Sequence, residues 1–411
     1  LNCGFPCMLK PTFPQTPTHW RFVVVFVGGA LWGAATAWFL AKHPDFDGRI
    51  LVVERDPSYA DCSTARTNSC IRQQFSTEIN IRISQFAAAY IKNFRAEIED
   101  PEAPTLSIQD FGYMYLATTQ TGADALRANH AVQVAAGAGT RLLTPEAIAR
   151  AYPFYRTDDL ALGSHNPVDE GYWDGITVFD AWRRGARRRG VEFVANTVVA
   201  LRRKGARVVS ATLADGSEIA LGQIVNATGP RAAATAAMAG LTVPVEPRKR
   251  FTWVFRAATP LPGRLPLTVD PAGIHVRQDG AETYMAGGFA RPDGPTAPDD
   301  LEMDHTLWQD RIWPALAHRI PAFEAIRVEQ EWAGHYAYNT FDQNAVVGPH
   351  PEVGNFHFLN GFSGHGLQQA PAMGRGMAEW LTGGCYQTLD LSPFHYDRIL
   401  AARPLVERAV I

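Results

Sequence analysis

The stretch from Trp20 to Glu54 constrains the fold of this chain more than any other. A valine-rich run over 22–27 leads into a glycine turn over 28–33, and an alanine-rich stretch over 34–41 and a second apolar run over 50–53 follow. This order predicts a strand, a tight turn, a helix and a second strand, as in a dinucleotide-binding unit. In such a unit the helix amino terminus binds pyrophosphate, and an acid after the second strand binds a ribose hydroxyl. Glu54 stands where that acid belongs.

The glycine turn departs from the dinucleotide-binding fingerprint at one position. Gly28 and Gly33 occupy the first and third glycine positions, Gly29 lies beside them, and Ala30 replaces the middle glycine. The middle glycine lets the backbone approach the phosphates, so the extra methyl group of Ala30 costs fit or requires a small shift. We predict that these four residues contact a nucleotide cofactor.

A membrane span is an alternative interpretation of the same residues. Phe22 to Ala41 is an uncharged run of twenty residues, which is long enough to cross a bilayer, and Gly29 and Gly33 have the spacing of a helix-dimer motif. The valine-rich start, the glycine turn and the position of Glu54 favour the strand–turn–helix interpretation instead.

The composition is that of an ordinary globular protein with room for two domains. Of 411 residues 19% are charged and 46% hydrophobic, and the net charge of -3 gives no basic excess, so we expect no nucleic-acid partner. Five cysteines, at 3, 7, 62, 70 and 385, form no Cys-x-x-Cys pair and no zinc-site spacing. We therefore expect a reducing compartment, no disulfide framework and no metal.

The pattern of elements predicts two domains of an α/β (α+β) fold. Helix–strand alternation dominates up to about residue 240, whereas 244–334 carries aromatic-rich strands broken by prolines, typical of an antiparallel sheet. We expect a disordered leader at 1–19 and a discontinuous Rossmann-like nucleotide-binding domain formed by 20–105, 150–240 and 335–396. A mainly antiparallel substrate domain is expected from 106–149 and 241–334.

Three further segments are candidates for chemistry. The apolar strand that ends in Thr228 and Gly229 is typical of a second cofactor-lining segment, although strands often end in glycine. The Gly-x-x-Gly-x-Gly loop over 361–366 opens a helix whose free N–H groups could stabilise negative charge on a ring; the alternatives are a second phosphate-binding loop or a plain tight turn. Arg72 has the fork that binds a carboxylate, and a structural ion pair is the alternative.

Together, these residues make the chain resemble the D-amino-acid oxidase/sarcosine oxidase superfamily of FAD proteins over roughly 20–396. Within it, the chain is most similar to the FAD-dependent oxidoreductase domain-containing protein 1 group. The resemblance is carried by the segments Val52-Val53-Glu54-Arg55-Asp56, Asp169-Glu170-Gly171-Tyr172-Trp173-Asp174, Val245-Glu246-Pro247-Arg248-Lys249-Arg250, 339–351 and 361–371. These segments are more specific than the glycine fingerprint.

The resemblance implies a bound FAD, covalent or non-covalent, of which we expect the non-covalent form, and it also implies the residues that contact FAD. The cofactor-binding residues it implies are Gly28, Gly29, Ala30, Gly33, Glu54, Arg55, Ser63, Thr64, Arg66, Thr228, Gly229, Gly361, Ser363, Gly364, His365, Gly366, Leu367 and Gln368. The catalytic residues it implies are Arg72 for a substrate carboxylate, with His335, Tyr338 and His365 lining the ring or taking a proton.

The resemblance also implies an activity and two departures from it. Relatives oxidise an amino acid or secondary amine by hydride transfer to flavin N5, and the lysine with which oxidases activate oxygen corresponds here to Met285. The cysteine of covalent sarcosine oxidases corresponds to His335, so a thioether link is excluded and a histidyl link stays open. We expect a dehydrogenase more than an oxidase, with a quinone or an electron-transfer protein as acceptor.

A non-enzymatic function is the alternative that the resemblance leaves open. Members of the group it resembles are associated with assembly of respiratory complex I in mitochondria, so the flavin could be a structural core with a membrane-associated respiratory partner. A NAD-dependent dehydrogenase, which Glu54 also permits, does not explain the glycine loop over 361–366. We expect the cytoplasm of a bacterium or the mitochondrial matrix as the compartment.

Overall fold

The structure is a computed structural model that describes residues 12–409. Its strands are β1 Arg21–Val27, β2 Ile50–Glu54, β3 Cys70–Ile71, β4 Tyr113–Ala117, β5 Arg141–Leu143, β6 Leu162–Asn166, β7 Gly171–Tyr172, β8 Glu192–Ala195, β9 Val198–Lys204, β10 Arg207–Leu213, β11 Glu218–Asn226, β12 Val245–Ala257, β13 Leu267–Asp270, β14 Ile274–Gln278, β15 Thr283–Gly288, β16 Ile326–Asn339, β17 Val346–His350 and β18 Val353–Asn360. Its helices are α1 Leu31–Lys42, α2 Glu78–Lys92, α3 Phe94–Glu97, α4 Gln120–Ala135, α5 Pro145–Ala151, α6 Gly175–Arg188, α7 Ala232–Ala237, α8 His305–Leu307, α9 Trp313–Arg319, α10 Gly366–Gly383 and α11 Asp397–Leu400, with a π-helical turn at Trp308–Ile312 and 3-10 turns at Gly229–Arg231, Pro321–Glu324 and Ser392–Phe394.

The first sheet is the nucleotide-binding sheet that the sequence predicts. Its strand order is β17-β18-β11-β1-β2-β8, in which β18, β11, β1, β2 and β8 run parallel and the β9–β10 hairpin pairs with β11. Helices α1, α6 and α10 pack together beside the sheet, and their apolar faces bury a core that includes Trp38, Phe39 and Trp182. Strand β1 and helix α1 divide the apolar run, so the membrane-span interpretation is wrong. Among residues 12–409, no helix combines the length and the apolar character that a bilayer crossing requires.

The second sheet confirms the mainly antiparallel second domain. Its order is β16-β12-β15-β14-β13-β4-β6-β5, and only the β13–β4 pair is parallel. The domain boundary at residue 150 is wrong for β6, because β6 pairs with β4 and β5 in this sheet rather than with the nucleotide-binding strands. The long strands β12 and β16 pair along their length and lead from this sheet towards the glycine loop before α10.

The prediction of a disordered leader is wrong for the part of it that the structure describes. Phe13 is buried, and its ring centroid lies 5.4 Å from that of Phe193 on β8. The Ala195 N–H donates to the Pro14 carbonyl at 2.8 Å, which adds an extended segment beside β8. The buried Phe13 ring and hydrogen bonds to the Pro14 and Gln15 carbonyls therefore order residues that composition alone marked as a tail. Residues 1–11 lie outside the described part.

Candidate functional site

A cavity of about 720 Å³ lies between the carboxyl ends of β1, β2 and β11 and the second sheet. It collects most of the predicted site residues: Gly28, Ala30, Glu54, Arg55, Ser63, Thr64, Arg66, Arg72, Thr228, Gly229, His335, Ser363, Gly364, His365, Gly366, Leu367 and Gln368. Ligand sites of this size hold whole cofactors, and strand carboxyl ends are where such ligands bind in parallel sheets. Gly29, Gly33, Gly361 and Tyr338 are not among its lining residues.

The glycines of the turn are needed for close backbone packing. A Cβ atom on Gly28, whose φ is +99°, would lie 2.5 Å from the Ala227 carbonyl oxygen. A Cβ on Gly33 would lie 2.0 Å from the Gly28 carbonyl oxygen. Because glycine has no side chain, Gly33 lets α1 approach the turn, and Gly28 lets the turn approach the end of β11.

Ala30 fits its own place in the fold. It is the residue before the first turn of α1, its φ is -68°, and it lines the cavity. The first N–H groups of a helix have no partner within the helix, and here the Leu31 N–H faces the Thr64 hydroxyl at 3.4 Å. The amino terminus of α1 thus faces the cavity, and the Ala30 methyl group lies directly before the first turn of this helix.

Glu54 lies at the end of β2 with its carboxylate in the cavity wall. Its Oε2 accepts from the Gly29 N–H at 2.7 Å and its Oε1 from the Asp56 N–H at 2.9 Å. Burial raises the pKa of Glu54, while these two backbone N–H groups oppose that rise. Gly29 therefore holds the acid rather than lining the cavity.

The loop over 61–72 ties the nucleotide-binding sheet to β16. The Ser63 hydroxyl donates to the His335 carbonyl at 2.8 Å, and Arg66 Nη1 donates to the Ala333 carbonyl at 3.0 Å. At the rim, Arg55 and Arg231 both bind the Asp299 carboxylate. Ser63, Arg66 and Arg55 thus line the cavity, but each already has a protein partner.

The glycine loop before α10 forms the opposite wall. Gly361, Ser363 and Gly364 all have positive φ, and a Cβ on Gly364 would lie 2.3 Å from the Tyr336 ring. Because the loop packs this closely on β16, the first turn of α10, starting at Gly366, opens on the cavity. The Trp32 ring stacks on Phe362 with centroids 3.6 Å apart, which joins the two glycine turns.

Arg72 is a buried cation with no acidic partner among residues 12–409. It is 4% exposed, and its guanidinium lies over the Phe75 ring at 4.6 Å. Its Nη2 donates to His365 Nε2 at 3.0 Å and to the Ala409 carbonyl, while its backbone N–H donates to Gln368 Oε1 at 2.8 Å. Within residues 12–409, no carboxylate forms an ion pair with it. A buried cation in this state favours an anionic ligand.

His365 is neutral in this arrangement. A guanidinium nitrogen can only donate, so His365 Nε2 is the acceptor and the imidazole proton is on Nδ1. Burial, together with the charge of Arg72, lowers the pKa of His365 well below its ordinary value. The hydrogen bond and the pKa therefore agree.

Glu170, from the segment over 169–174, supports the residues that directly follow Arg72. It is fully buried and accepts from the Gln73 N–H at 2.6 Å, from Gln74 Nε2 at 3.0 Å and from Asn166 Nδ2 at 2.8 Å. Burial raises the pKa of Glu170 to about 8. Glu170 belongs to one of the segments that carry the family resemblance, but no pattern in the sequence indicates this contact.

Sequence reasoning missed a hydrogen-bonded row in the wall formed by the second sheet. His275 Nε2 lies 2.8 Å from Asn68 Nδ2, and the Thr252 hydroxyl donates to Asn68 Oδ1 at 3.3 Å. Burial, with nearby arginines, lowers the pKa of His275 to about 4, so it accepts from Asn68 as a neutral ring. No spacing in the sequence marks these three residues, because they come from a loop and two strands.

Two predicted catalytic residues have different surroundings. His335 lines the cavity, and its Nε2 is buried without a partner among the described residues. Tyr338 is not among the residues that line the cavity. Its ring instead lies under the Arg248 guanidinium, 3.8 Å from centroid to carbon, two residues further along β16 from the cavity-lining Tyr336.

The donor set fits FAD. Two helix amino termini, those of α1 and α10, open on the cavity from opposite sides, and Glu54 stands beside the first of them. A helix amino terminus suits a phosphate or a ring that gathers negative charge, and an acid beside it suits a ribose hydroxyl. The partnerless Nε2 of His335 is a further polar atom that a bound ring system would satisfy.

Comparison with known proteins identifies the same family along nearly the whole chain. The family model "FAD dependent oxidoreductase" matches residues 23–380. FAD-dependent oxidoreductase domain-containing protein 1 of Xenopus laevis is 34% identical over 439 residues, covering 97% of this chain and 87% of its own. Human mitochondrial sarcosine dehydrogenase is 22% identical and covers 96% of this chain but 44% of its own. The crystal structure of L-proline dehydrogenase from P. horikoshii has a TM-score of 0.80 at 25% identity, covering 95% of this chain and all of that one.

Proposed function

This chain belongs to the FAD dependent oxidoreductase family. We propose that it oxidises the C–N bond of a secondary amine or an amino acid, and that this substrate carries a carboxylate. Proteins similar to it are named for sarcosine and L-proline, both of which have a carboxylate beside a secondary amine nitrogen. The observation that carries the proposal is Arg72, a buried guanidinium in the cavity with no carboxylate partner in the described part of the chain.

The binding contribution of Arg72 follows from its surroundings. Its Nη1 has no partner among residues 12–409, so this nitrogen is available to a ligand. A carboxylate bound there would gain charge-assisted hydrogen bonds and remove the cost of an isolated buried charge. Phe75 and Tyr113, whose rings lie 4.6 Å and 5.8 Å from the guanidinium carbon, exclude water and strengthen that attraction.

FAD would be held by the residues of both glycine turns. The first turn of α1 would bind pyrophosphate, Glu54 a ribose hydroxyl, and the first turn of α10 the polar edge of the ring. When bound, FAD supplies the two-electron acceptor for the substrate's C–H bond beside nitrogen. The remaining tasks of the protein are to orient the carboxylate through Arg72 and to keep water out.

We assign His365 to Arg72 rather than to a substrate proton. Its Nε2 already accepts from Arg72, and its lowered pKa keeps a second proton off the ring. His335 is the better candidate for contact with cofactor or substrate, because its Nε2 is free of protein partners in the described residues. Burial lowers the pKa of His335, so it presents a neutral nitrogen.

The electron acceptor in our proposal is a quinone or an electron-transfer protein. Met285, where the resemblance places an oxygen-activating lysine, is buried, uncharged and not among the cavity-lining residues. One observation favours oxygen as a second candidate. Arg277 Nη2 lies 3.4 Å from Met285 Sδ and so puts a fixed positive charge beside that position.

Anaerobic reduction tests the proposed reaction. The FAD-loaded protein is mixed with a panel of N-methyl and cyclic amino acids, and bleaching of the flavin band near ~450 nm is followed. We expect bleaching by at least one carboxylate-bearing amine and none by the matching decarboxylated amine. Failure of every amine would contradict the proposal and would favour the non-enzymatic assembly factor. Reoxidation by air or by a quinone analogue then decides the acceptor.

Acid precipitation tests how FAD is held. We expect the yellow colour to stay in the supernatant, as for a cofactor bound only by hydrogen bonds and packing. Colour in the pellet would indicate a covalent bond, for which His335 is the nearest candidate, and His335→Ala should then release it.

A further inference from the structure

The segment Leu405–Ala409, here called the strap, reaches the substrate arginine. The Leu405 N–H donates to Asp342 Oδ2 at 3.0 Å, and the Glu407 N–H donates to the Asp342 carbonyl at 3.1 Å. At the other end of the strap, the Ala409 carbonyl accepts from Arg72 Nη2. Ala409 and Arg72 are 337 positions apart, so the contact is purely tertiary.

Glu407 clips the strap to the start of α2. Its carboxylate accepts from the Ser76 N–H at 2.8 Å, the Ser76 hydroxyl at 2.7 Å, the Thr77 hydroxyl at 2.9 Å and Asn80 Nδ2 at 3.0 Å. It also accepts from the Ala409 N–H at 2.9 Å, which fixes the peptide plane immediately before Ala409. Glu407 is 1% exposed, so this clip is a buried and nearly saturated acceptor.

The strap occupies an N–H group of Arg72 that a bidentate substrate carboxylate would need. A guanidinium has two forks for a carboxylate, Nε with Nη2 and Nη1 with Nη2, and both forks use an Nη2 hydrogen. Here one Nη2 hydrogen goes to His365 and the other to Ala409. A bidentate carboxylate therefore cannot bind until one of these acceptors leaves.

Of the two acceptors, Ala409 is the one that can be displaced. His365 precedes α10, whose first turns are buried, whereas Ala409 lies on a segment without regular secondary structure that is held mainly by hydrogen bonds to side chains. We propose that the strap is an internal ligand of Arg72 that competes with the substrate carboxylate and is displaced when it binds. This inference rests on the proposed carboxylate role of Arg72 and adds a regulation to it.

The test is the binding of benzoate to the full-length, FAD-loaded protein, measured by calorimetry, with benzamide as the uncharged control. Glu407→Gln weakens the clip, which raises the fraction of open sites, so the apparent affinity should rise. We expect benzoate to bind Glu407→Gln about threefold more tightly, since losing one net hydrogen bond changes an equilibrium by roughly that order. Ser76→Ala removes the hydroxyl that donates to Glu407 and accepts from the Arg408 N–H at 2.9 Å, and it should shift affinity in the same direction. Glu324→Gln, at an exposed glutamate, should leave affinity unchanged.

The outcomes separate this inference from the proposed function. If Arg72→Gln abolishes benzoate binding while Glu407→Gln and Ser76→Ala weaken it or leave it unchanged, the strap inference is overturned and the proposed function stands. If Arg72→Gln binds benzoate as well as the unaltered protein does, Arg72 is not the carboxylate site and both fall. Absence of binding even to Glu407→Gln overturns the strap as the competitor.

Proteolysis provides a readout that does not depend on turnover. Arg408 is exposed on the strap, so trypsin can cut the Arg408–Ala409 bond when the strap leaves its place. Benzoate should speed this cleavage, followed by intact mass, and benzamide should not. Slower cleavage with benzoate would mean that the ligand tightens the strap, which contradicts displacement.

Discussion

The two ends of the cavity are built in different ways. The nucleotide end is formed largely by one contiguous stretch, 20–54, in which glycines bring backbone against backbone. The substrate end is formed by side chains from a loop, both sheets, α10 and the strap, and Arg72 alone contacts His365, Gln368 and Ala409 from distant parts of the chain. Local backbone geometry can therefore be read from sequence at the first end but not at the second.

The first prediction concerns a substitution that disrupts the nucleotide end of the cavity. Gly33→Val puts a side chain where even a Cβ would lie 2.0 Å from the Gly28 carbonyl oxygen, so α1 must move away from the turn. We expect the purified protein to carry essentially no flavin, measured as the ratio of visible to ultraviolet absorption. Gly354→Val is the matched control, because nothing lies within 4 Å of a Cβ there. A fully yellow Gly33→Val protein would contradict the close approach.

The second prediction breaks the substrate end and leaves the nucleotide end intact. Arg72→Ala should raise KM for a carboxylate substrate about 10- to 100-fold, since charge-assisted hydrogen bonds contribute about 1.5–3 kcal/mol. The flavin content should not change, because the residues that hold the nucleotide lie elsewhere. Steady-state kinetics beside the absorption ratio checks both, and Arg82→Ala, exposed on α2, is the control. An unchanged KM removes Arg72 from the site.

The third prediction concerns pH at the substrate end. Burial, with Arg277, Arg250 and Arg72 nearby, lowers the pKa of His275 to about 4. The unfolded chain binds this proton near about 6.5, so stability is lost as pH falls from about 6.5 towards about 4. His275→Gln should flatten that decline in urea unfolding, whereas His43→Gln should not. A slope equal to that of the unaltered protein would show that His275 titrates as in the unfolded chain.

The fourth prediction concerns FAD affinity at the nucleotide end and has the smallest expected effect. Ala30→Gly removes the methyl group at the mouth of α1 and supplies a residue that is at least as good before a helix. We expect the FAD dissociation constant, measured by flavin fluorescence on apoprotein, to fall a few-fold. An unchanged constant would show that FAD does not contact the Ala30 methyl.

Features that depend on local sequence could be predicted, whereas features that depend on contacts between distant segments could not. The order of β1, α1 and β2, the place of Glu54 and the antiparallel second sheet are as expected, because apolar periodicity and turn glycines are local signals. The membership of β6 and the ordered residues 12–19 were missed, since both depend on pairing with remote strands. The position of Tyr338 outside the cavity lining could not be predicted, because a motif gives the strand but not how far the cavity extends along it.

The sequence by itself determined a nucleotide-binding turn, a second glycine loop and a candidate carboxylate-binding arginine. Only the tertiary structure decided what surrounds that arginine: the acceptor on His365, the clip of Glu407 and the carbonyl of Ala409. The physical reason is that a glycine turn is fixed by backbone sterics within a few residues, whereas the partners of a buried charge are chosen by packing across the chain.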